Sequence, residues 1–209
     1  MLIFINMLIA YLIGSIPTAF WVGKYFHDID IREHGSKNAG ATNTFRVLGK
    51  KSGWFVLVVD VLKGVAASTL PYWFESQFLG FKDELLIMQL SASFSAVCGH
   101  VFPIFAGFRG GKGVATSLGI VIGINPIAAA ICLGVFLLVF ISSKYVSLGA
   151  ITAALVFPFV SYFILKEDAR ILIIFTIVLS FLVIIAHRKN IFRLLKGEEN
   201  KMNLLRKKA

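Results

Sequence analysis

Three short polar segments in an otherwise apolar chain hold nearly all of its candidate chemistry: Gly35-Ser-Lys-Asn-Ala-Gly-Ala-Thr-Asn-Thr-Phe-Arg46, Phe108-Arg-Gly-Gly-Lys-Gly113 and His187-Arg-Lys-Asn-Ile-Phe-Arg193. In the first, Gly35 and Gly40 permit backbone geometries that other residues resist. Ser36, Asn38, Thr42 and Asn43 offer short-armed hydrogen bonds, and Arg46 offers a bidentate fork for phosphate. The same residue types also build turns and helix caps, so this loop by itself fits a ligand site and a capped turn equally well. Arg32, Lys50 and Lys51 read as topology charges rather than ligands.

The second segment is more pointed. Gly110, Gly111 and Gly113 expose backbone N–H groups, and Lys112 brings a point charge to whatever they hold. A helix starting at Val114 aims the positive end of its dipole at the same spot. The pattern is not a nucleoside-triphosphate P-loop, because Ala106 stands where the first glycine is required and Gly113 where Ser or Thr is required. The plainer alternative is a tight helix entry with a positive-inside lysine. In the third segment, His187 and Asn190 are spaced to share one helical face. His187 is a candidate general base or phosphate ligand, and Asn190 could orient a hydroxyl or a carbonyl oxygen. Arg188, Lys189, Arg193 and Lys196 also fit a juxtamembrane basic cluster touching anionic lipid.

The elements that must position these loops follow from composition. Of 209 residues, 57% are hydrophobic and 15% charged, against about 45–50% and about 25% in soluble domains. Mean hydropathy is +0.82. Such a chain is solvated mainly by lipid, where backbone groups must be satisfied within helices. The expected fold is all-α: a single integral membrane domain over 1–209, one bundle of about seven transmembrane helices.

Apolar stretches run over 2–22, 54–74, 85–105, 114–124, 127–141, 148–165 and 171–186. The first reads as a retained span rather than a cleaved signal. Asn125-Pro126 is a turn signal that divides the fourth from the fifth. With the N-terminus outside and the C-terminus cytoplasmic, 17 Lys and Arg fall in the inner segments 24–52, 106–113, 142–147 and 187–209, and 3 in the outer ones. That bias follows the positive-inside rule and places all three polar segments on the cytoplasmic face, where they can converge. It also accounts for the net charge of +10 without nucleic acid. The basic tail 201–209 reads as a frayed end of the cytoplasmic segment 187–209.

Other residues carry weaker signals. His100 follows Gly99 in an apolar span and reads as a packing residue or as a catalyst. Asp60 and Lys63 can pair on one helical face and reduce each other's burial penalty, which favours a structural pair. Cys98 and Cys132 fall in apolar segments and read as packing residues. No metal-ligand cluster is visible. No histidine has an aspartate five residues on, since Arg32, Ala39, Phe105 and Phe192 occupy those positions. The His-x4-Asp dyad of acyl-CoA-dependent glycerolipid acyltransferases is therefore missing. The inventory suits binding anions, and a substrate that arrives already activated suits such a site.

Along nearly its whole length the chain resembles the bacterial acyl-phosphate:glycerol-3-phosphate acyltransferase family. The resemblance is carried by Gly14-Ser-Ile-Pro-Thr-Ala19 and Ser36-Lys-Asn-Ala-Gly-Ala-Thr-Asn-Thr-Phe-Arg46. It continues through Gly99-His-Val-Phe-Pro-Ile-Phe-Ala-Gly-Phe-Arg-Gly-Gly-Lys-Gly-Val-Ala-Thr116 and His187-Arg-Lys-Asn-Ile-Phe-Arg-Leu-Leu-Lys-Gly-Glu-Glu199. It departs at Lys37, where family members often carry glycine. The resemblance implies transfer of a fatty acyl group from acyl phosphate to the 1-hydroxyl of glycerol 3-phosphate, giving lysophosphatidic acid and phosphate for phospholipid synthesis. It implies a site of Ser36, Arg46, Lys112, His187 and Asn190, with phosphate held at Gly110–Gly113 and Glu199 in structural support. It also implies a bacterial plasma membrane location, no cofactor, and a peripheral enzyme supplying acyl phosphate.

Three other readings compete. A transporter of phosphorylated solutes would bind near the bilayer midplane and often shows inverted repeats, and none is visible here. A lipid-binding scaffold needs only the basic loops and leaves Ser36, Asn43, Asn190 and the glycines without a role. Acyl-CoA is the alternative donor, although no nucleotide-binding pattern accompanies it.

Overall fold

A computed structural model of the chain describes residues 1–73 and 82–202. Most of the expected outer connection 74–84, the last residue of the expected span 54–74 and the end of the basic tail lie outside the described residues. The chain forms two compact units, residues 1–127 and 128–209.

The first unit contains α1 (Leu2–Gly14), α2 (Thr18–His27), α3 (Ala41–Val47), α4 (Lys50–Thr69), α5 (Lys82–Val101) and α6 (Val114–Ile124). Its helices pack through small residues. A side chain at Gly14 would run into the Ala96 backbone, and one at Gly99 into the Tyr11 carbonyl, so α1 and α5 approach backbone to backbone. Gly64 and Gly119 do the same for α4 and α6, against Thr116 and Val61. In lipid, where apolar surface gains little by burial against other apolar surface, such close approach is the main source of packing attraction.

Between α1 and α2 the helix breaks at Ser15–Pro17, because Pro17 has no N–H to donate and pushes Ile16 out of helical geometry. The break leaves backbone oxygen inside an apolar span. Lys63 Nζ donates to the Ile16 carbonyl at 3.0 Å and pairs with Asp60 Oδ1 at 2.8 Å. Thr18 Oγ1 donates to the same carboxylate oxygen at 3.1 Å. The intramembrane ion pair therefore stitches α4 to the break in the first span.

The second unit holds α7 (Pro126–Ser143, from Ala128 onward), α8 (Val146–Phe159), α9 (Arg170–Ala186) and α10 (Arg188–Leu195). Pro158 lies inside α8, which ends in a widened turn over Val160–Ile164, as expected where a proline removes a helical donor. Ser180 Oγ donates to the Ala154 carbonyl at 2.6 Å and ties α9 to α8. The axis turns by 61° between α9 and α10.

Among the described residues, five helical segments are long and apolar enough to cross a membrane: Leu2–His27, Lys50–Trp73, Asp83–Ala106, Pro126–Ser143 and Val146–Ile164. The bent pair Arg170–Ala186 with Arg188–Leu195 makes a sixth if taken as one span. The shortfall from seven lies at Val114–Ile124, which has 11 residues. At ~1.5 Å per residue it reaches about 16 Å, half of a ~30 Å hydrocarbon core. The helix stops where the Asn125-Pro126 signal requires, with Asn125 extended and Pro126 opening α7.

Candidate functional site

The first polar loop is shaped by α3 reaching back over it. Asn43 Oδ1 accepts from the Ser36 N–H at 2.8 Å. Asn43 Nδ2 donates to the Ile31 and His34 carbonyls, each at 3.0 Å. Asn43 is fully buried and spends both amide donors on the chain itself, so of the two roles its residue type allows, ligand or turn support, it braces the loop. Thr44 Oγ1 closes the turn onto the Gly40 carbonyl at 3.1 Å. Gly35 has φ +60°, and a side chain there would collide with Asn43 Oδ1. Ser36, Asn38, Gly40, Thr42 and Arg46 are half-buried along this loop.

Lys37 also lies in the left-handed region, at φ 58°. That explains physically why glycine suits this position, since only glycine adopts it freely. Lys37→Gly is expected to raise stability by about 0.5–1 kcal/mol through relief of backbone strain, partly offset by the entropy of the unfolded glycine. A thermal melt of the purified variant checks this, and a lower melting temperature would assign Lys37 a contact that the backbone argument omits.

Arg32, expected only as a topology charge, is a strut. Its Nη1 donates to the Ala106 carbonyl of the second loop at 2.7 Å, while Nε and Nη2 bind the Asp30 carboxylate. Its guanidinium lies 4.2 Å from the centre of the Phe20 ring. The hydrogen bonds from Arg32 hold the Asp30 carboxyl below its usual value, and Asp30 in turn raises Arg32. The alternation Asp30-x-Arg32 was the only sequence signal for this pairing, and nothing local pointed to Ala106.

The second loop folds back on the end of α5. Gly110 N–H donates to the Val101 carbonyl and Gly111 N–H to the His100 carbonyl, each at 3.2 Å. These two donors, expected to face a phosphate, are thus engaged with the chain in this conformation. Gly113, at φ +79°, then turns the chain into α6. Lys112 is half-buried between them. A side chain at Gly111 would meet His100 Nε2 and, at 2.8 Å, the Ala39 carbonyl of the first loop. The structure therefore brings the first and second polar segments together within the first unit.

The third segment lies in the second unit. His187 occupies the bend between α9 and α10, with φ −97° and ψ 6°, a sparsely populated backbone region in which functional residues recur. It is buried, and its Nδ1 donates to the Val183 carbonyl at 2.8 Å. Because a carbonyl only accepts, this bond puts the basic lone pair of the neutral ring on Nε2. Asn190, also buried, donates through Nδ2 to Glu199 Oε1 at 2.7 Å. Ser147 Oγ shares that oxygen at 3.0 Å, and Arg193 Nε takes Oε2 at 2.7 Å. Glu199 thus ties α8, α10 and the following chain.

Burial opposes ionisation of Glu199, but hydrogen bonds from Arg193, Asn190 and Ser147 outweigh it and hold the carboxyl below its ordinary value. A depressed folded-state pKa contributes stability that is present above the unfolded value and lost as pH falls through the folded one. The wild type is therefore expected to lose melting temperature below about pH 4.3 more steeply than Glu199→Gln. Parallel melts at pH 6 and pH 3.5 check this, and equal slopes would exclude the linkage.

Among the described residues no group of three or more His, Cys, Asp or Glu could hold a metal ion.

Residues 4–197 match the family model described as glycerol-3-phosphate acyltransferase. A glycerol-3-phosphate acyltransferase of Listeria welshimeri is 46% identical, over 93% of this chain and 94% of its own. One from Fusobacterium nucleatum is 43% identical, over 96% and 98%. Among solved structures, the crystal structure of PlsY, an integral membrane glycerol 3-phosphate acyltransferase, in its glycerol 3-phosphate form superposes with TM-score 0.86. It shares 35% identity, and the match covers 98% of both chains. The lysophosphatidic acid form of the same protein gives TM-score 0.83 at 34% identity, covering 98% of this chain and 97% of that one.

Proposed function

Because the chain belongs to the glycerol-3-phosphate acyltransferase family, we propose that it transfers a fatty acyl group from acyl phosphate to the 1-hydroxyl of sn-glycerol 3-phosphate. The products are lysophosphatidic acid and inorganic phosphate. The observation that carries this reading is the locking of two polar loops, bearing Arg46 and Lys112, onto one another at the ends of apolar helices. Acyl phosphate is a mixed anhydride with a good leaving group, so the enzyme needs no nucleophile of its own. The hydroxyl oxygen attacks the carbonyl carbon, the bond from carbonyl carbon to phosphate oxygen breaks, and phosphate leaves with the electron pair. The hydroxyl proton goes to His187 Nε2 or to the departing phosphate.

What the protein must supply is proximity and charge, since two phosphates that repel each other have to be held together. Arg46 and Lys112 clamp phosphate, and Ser36 and Asn190 position the hydroxyl and the reacting carbonyl. Asn38, Gly40, Thr42 and the Gly110–Gly113 loop shape the anion pocket. Asn43 acts through the loop it braces, and Glu199 through Asn190. The acyl chain lies among the helices in the bilayer. The bias of basic residues supports seven crossings with the N-terminus outside and the site on the cytoplasmic face of a bacterial plasma membrane. There a peripheral enzyme could deliver acyl phosphate.

The test is acyl transfer by purified protein in detergent, with labelled glycerol 3-phosphate and either palmitoyl phosphate or palmitoyl-CoA. Labelled lysophosphatidate with the acyl phosphate alone is the expected result, and product from the thioester alone would move the donor to acyl-CoA. His187→Gln separates the two proton routes. Turnover within roughly tenfold of wild type assigns the proton to phosphate, whereas loss of roughly 10²-fold or more, the usual size of a general-base contribution, assigns it to His187.

A further inference from the structure

Asp60, Lys63, Thr18, His100 and Thr116 form a buried polar cluster in the first unit, each side chain at least nine-tenths removed from solvent. The reaction uses none of them directly, and buried polar groups at membrane depth persist where they do work. Three of them, Asp60, Lys63 and Thr18, secure the break between α1 and α2. His100 and Thr116 extend the cluster toward the second polar loop. The His100 ring bonds through Nδ1 to Thr116 Oγ1 at 3.0 Å, and Nδ1 stands 3.9 Å from Asp60 Oδ1. The opposite edge of the ring, Nε2, faces Gly111, where a side chain would collide with it. The His100 main chain holds the same glycine, its carbonyl accepting the Gly111 N–H at 3.2 Å.

One residue therefore grips Gly111 from two sides, and Lys112 is the next residue. The Ala39 carbonyl, from the loop that carries Ser36 and Arg46, borders the same glycine.

We propose that His100 is a positioning residue, its ring oriented by Thr116, that seats Gly111 against both loops and so places Lys112 on the substrate phosphate. The assignment of phosphate to Lys112 rests on the proposed function; the seating of the loop does not. A ring hydrogen-bonded at Nδ1 and packed against Gly111 at Nε2 has reduced rotamer freedom, and the cation that follows Gly111 inherits that order.

Thr116→Val removes only the hydroxyl that orients the ring, while Thr116→Ser keeps it. His100→Gln is the direct variant, and the threonine pair covers the case in which it fails to fold. Two readouts are needed. Hydrogen exchange of the 107–113 segment in unliganded protein reports the seat without reference to any reaction. Thr116→Val is expected to speed exchange there about tenfold, the effect of losing roughly one buried hydrogen bond. Exchange in the second unit should stay unchanged, and Thr116→Ser should restore protection.

Steady-state kinetics with palmitoyl phosphate and glycerol 3-phosphate supply the second readout. The KM for glycerol 3-phosphate should rise about tenfold with kcat within about threefold, the signature of weakened uniform binding. Unchanged exchange at 107–113, or equal loss in the valine and serine variants, overturns the proposal. Altered exchange with an unchanged KM overturns the link to Lys112 and leaves His100 as a packing residue. If the wild type transfers no acyl group, the proposed function fails, and the exchange arm alone decides the seating.

Discussion

Arg46→Ala is expected to reduce formation of labelled lysophosphatidate from palmitoyl phosphate by roughly 10²- to 10³-fold, the usual effect of deleting one preorganised charge-stabilising donor. Lys112→Ala should fall in the same range. Both cations are half-buried, Arg46 in the last turn of the short helix α3 and Lys112 on a loop, so truncation removes charge without opening a core cavity, and melting temperatures should stay near wild type. The two phosphates of the reaction must approach within bonding reach of one acyl group, and cations offset their repulsion only if they are held in place. Arg46→Lys should therefore recover little, because an ammonium is a point charge and cannot reproduce a bidentate fork. The double variant should lose less than the product of the single losses if the two act as one clamp. Activity within about threefold of wild type in Arg46→Ala would remove the clamp from the mechanism.

Asp60→Ala should act on stability instead. It leaves Lys63 as a buried unpaired ammonium and takes the acceptor from Thr18, and breaking a buried pair at one partner typically costs about 3–5 kcal/mol. Both side chains are under 6% exposed, so water cannot replace the lost partner. Replacing both residues by apolar ones, as in Asp60→Leu with Lys63→Met, removes the stranded charge and should recover most of the loss. Recovery should stop about 1–3 kcal/mol short, because the Ile16 carbonyl loses the Lys63 donor. Melting curves of the three proteins in detergent check this. An Asp60→Ala protein that melts like wild type would show that the pair is not what holds the break in the first span.

Much of this was legible along the chain. Helical character follows from runs of apolar residues that only helices can carry through lipid. The division at Asn125-Pro126 follows from proline chemistry, and the separate helices on either side agree with it. The bounds 114–124 were legible too and recur in the structure, whereas hydropathy records only that a segment tolerates lipid, and spanning depends also on its length. The pairing of Asp60 with Lys63 follows from helical spacing. Its purpose did not, because the carbonyl it serves lies 47 residues away at Ile16.

The sequence by itself determined the chemical vocabulary: glycine-rich loops, cations and short polar arms at the ends of apolar helices. Those properties reside in residue types and near-neighbour spacing, which the linear order preserves. Only the tertiary structure decided which polar residues face inward. Asn43 turned into a brace, Arg32 into a strut 74 residues from its acceptor, and the His100 ring toward Gly111. Such assignments rest on contacts between distant segments, and the chain acquires those only when close helix packing brings its loops to the same place.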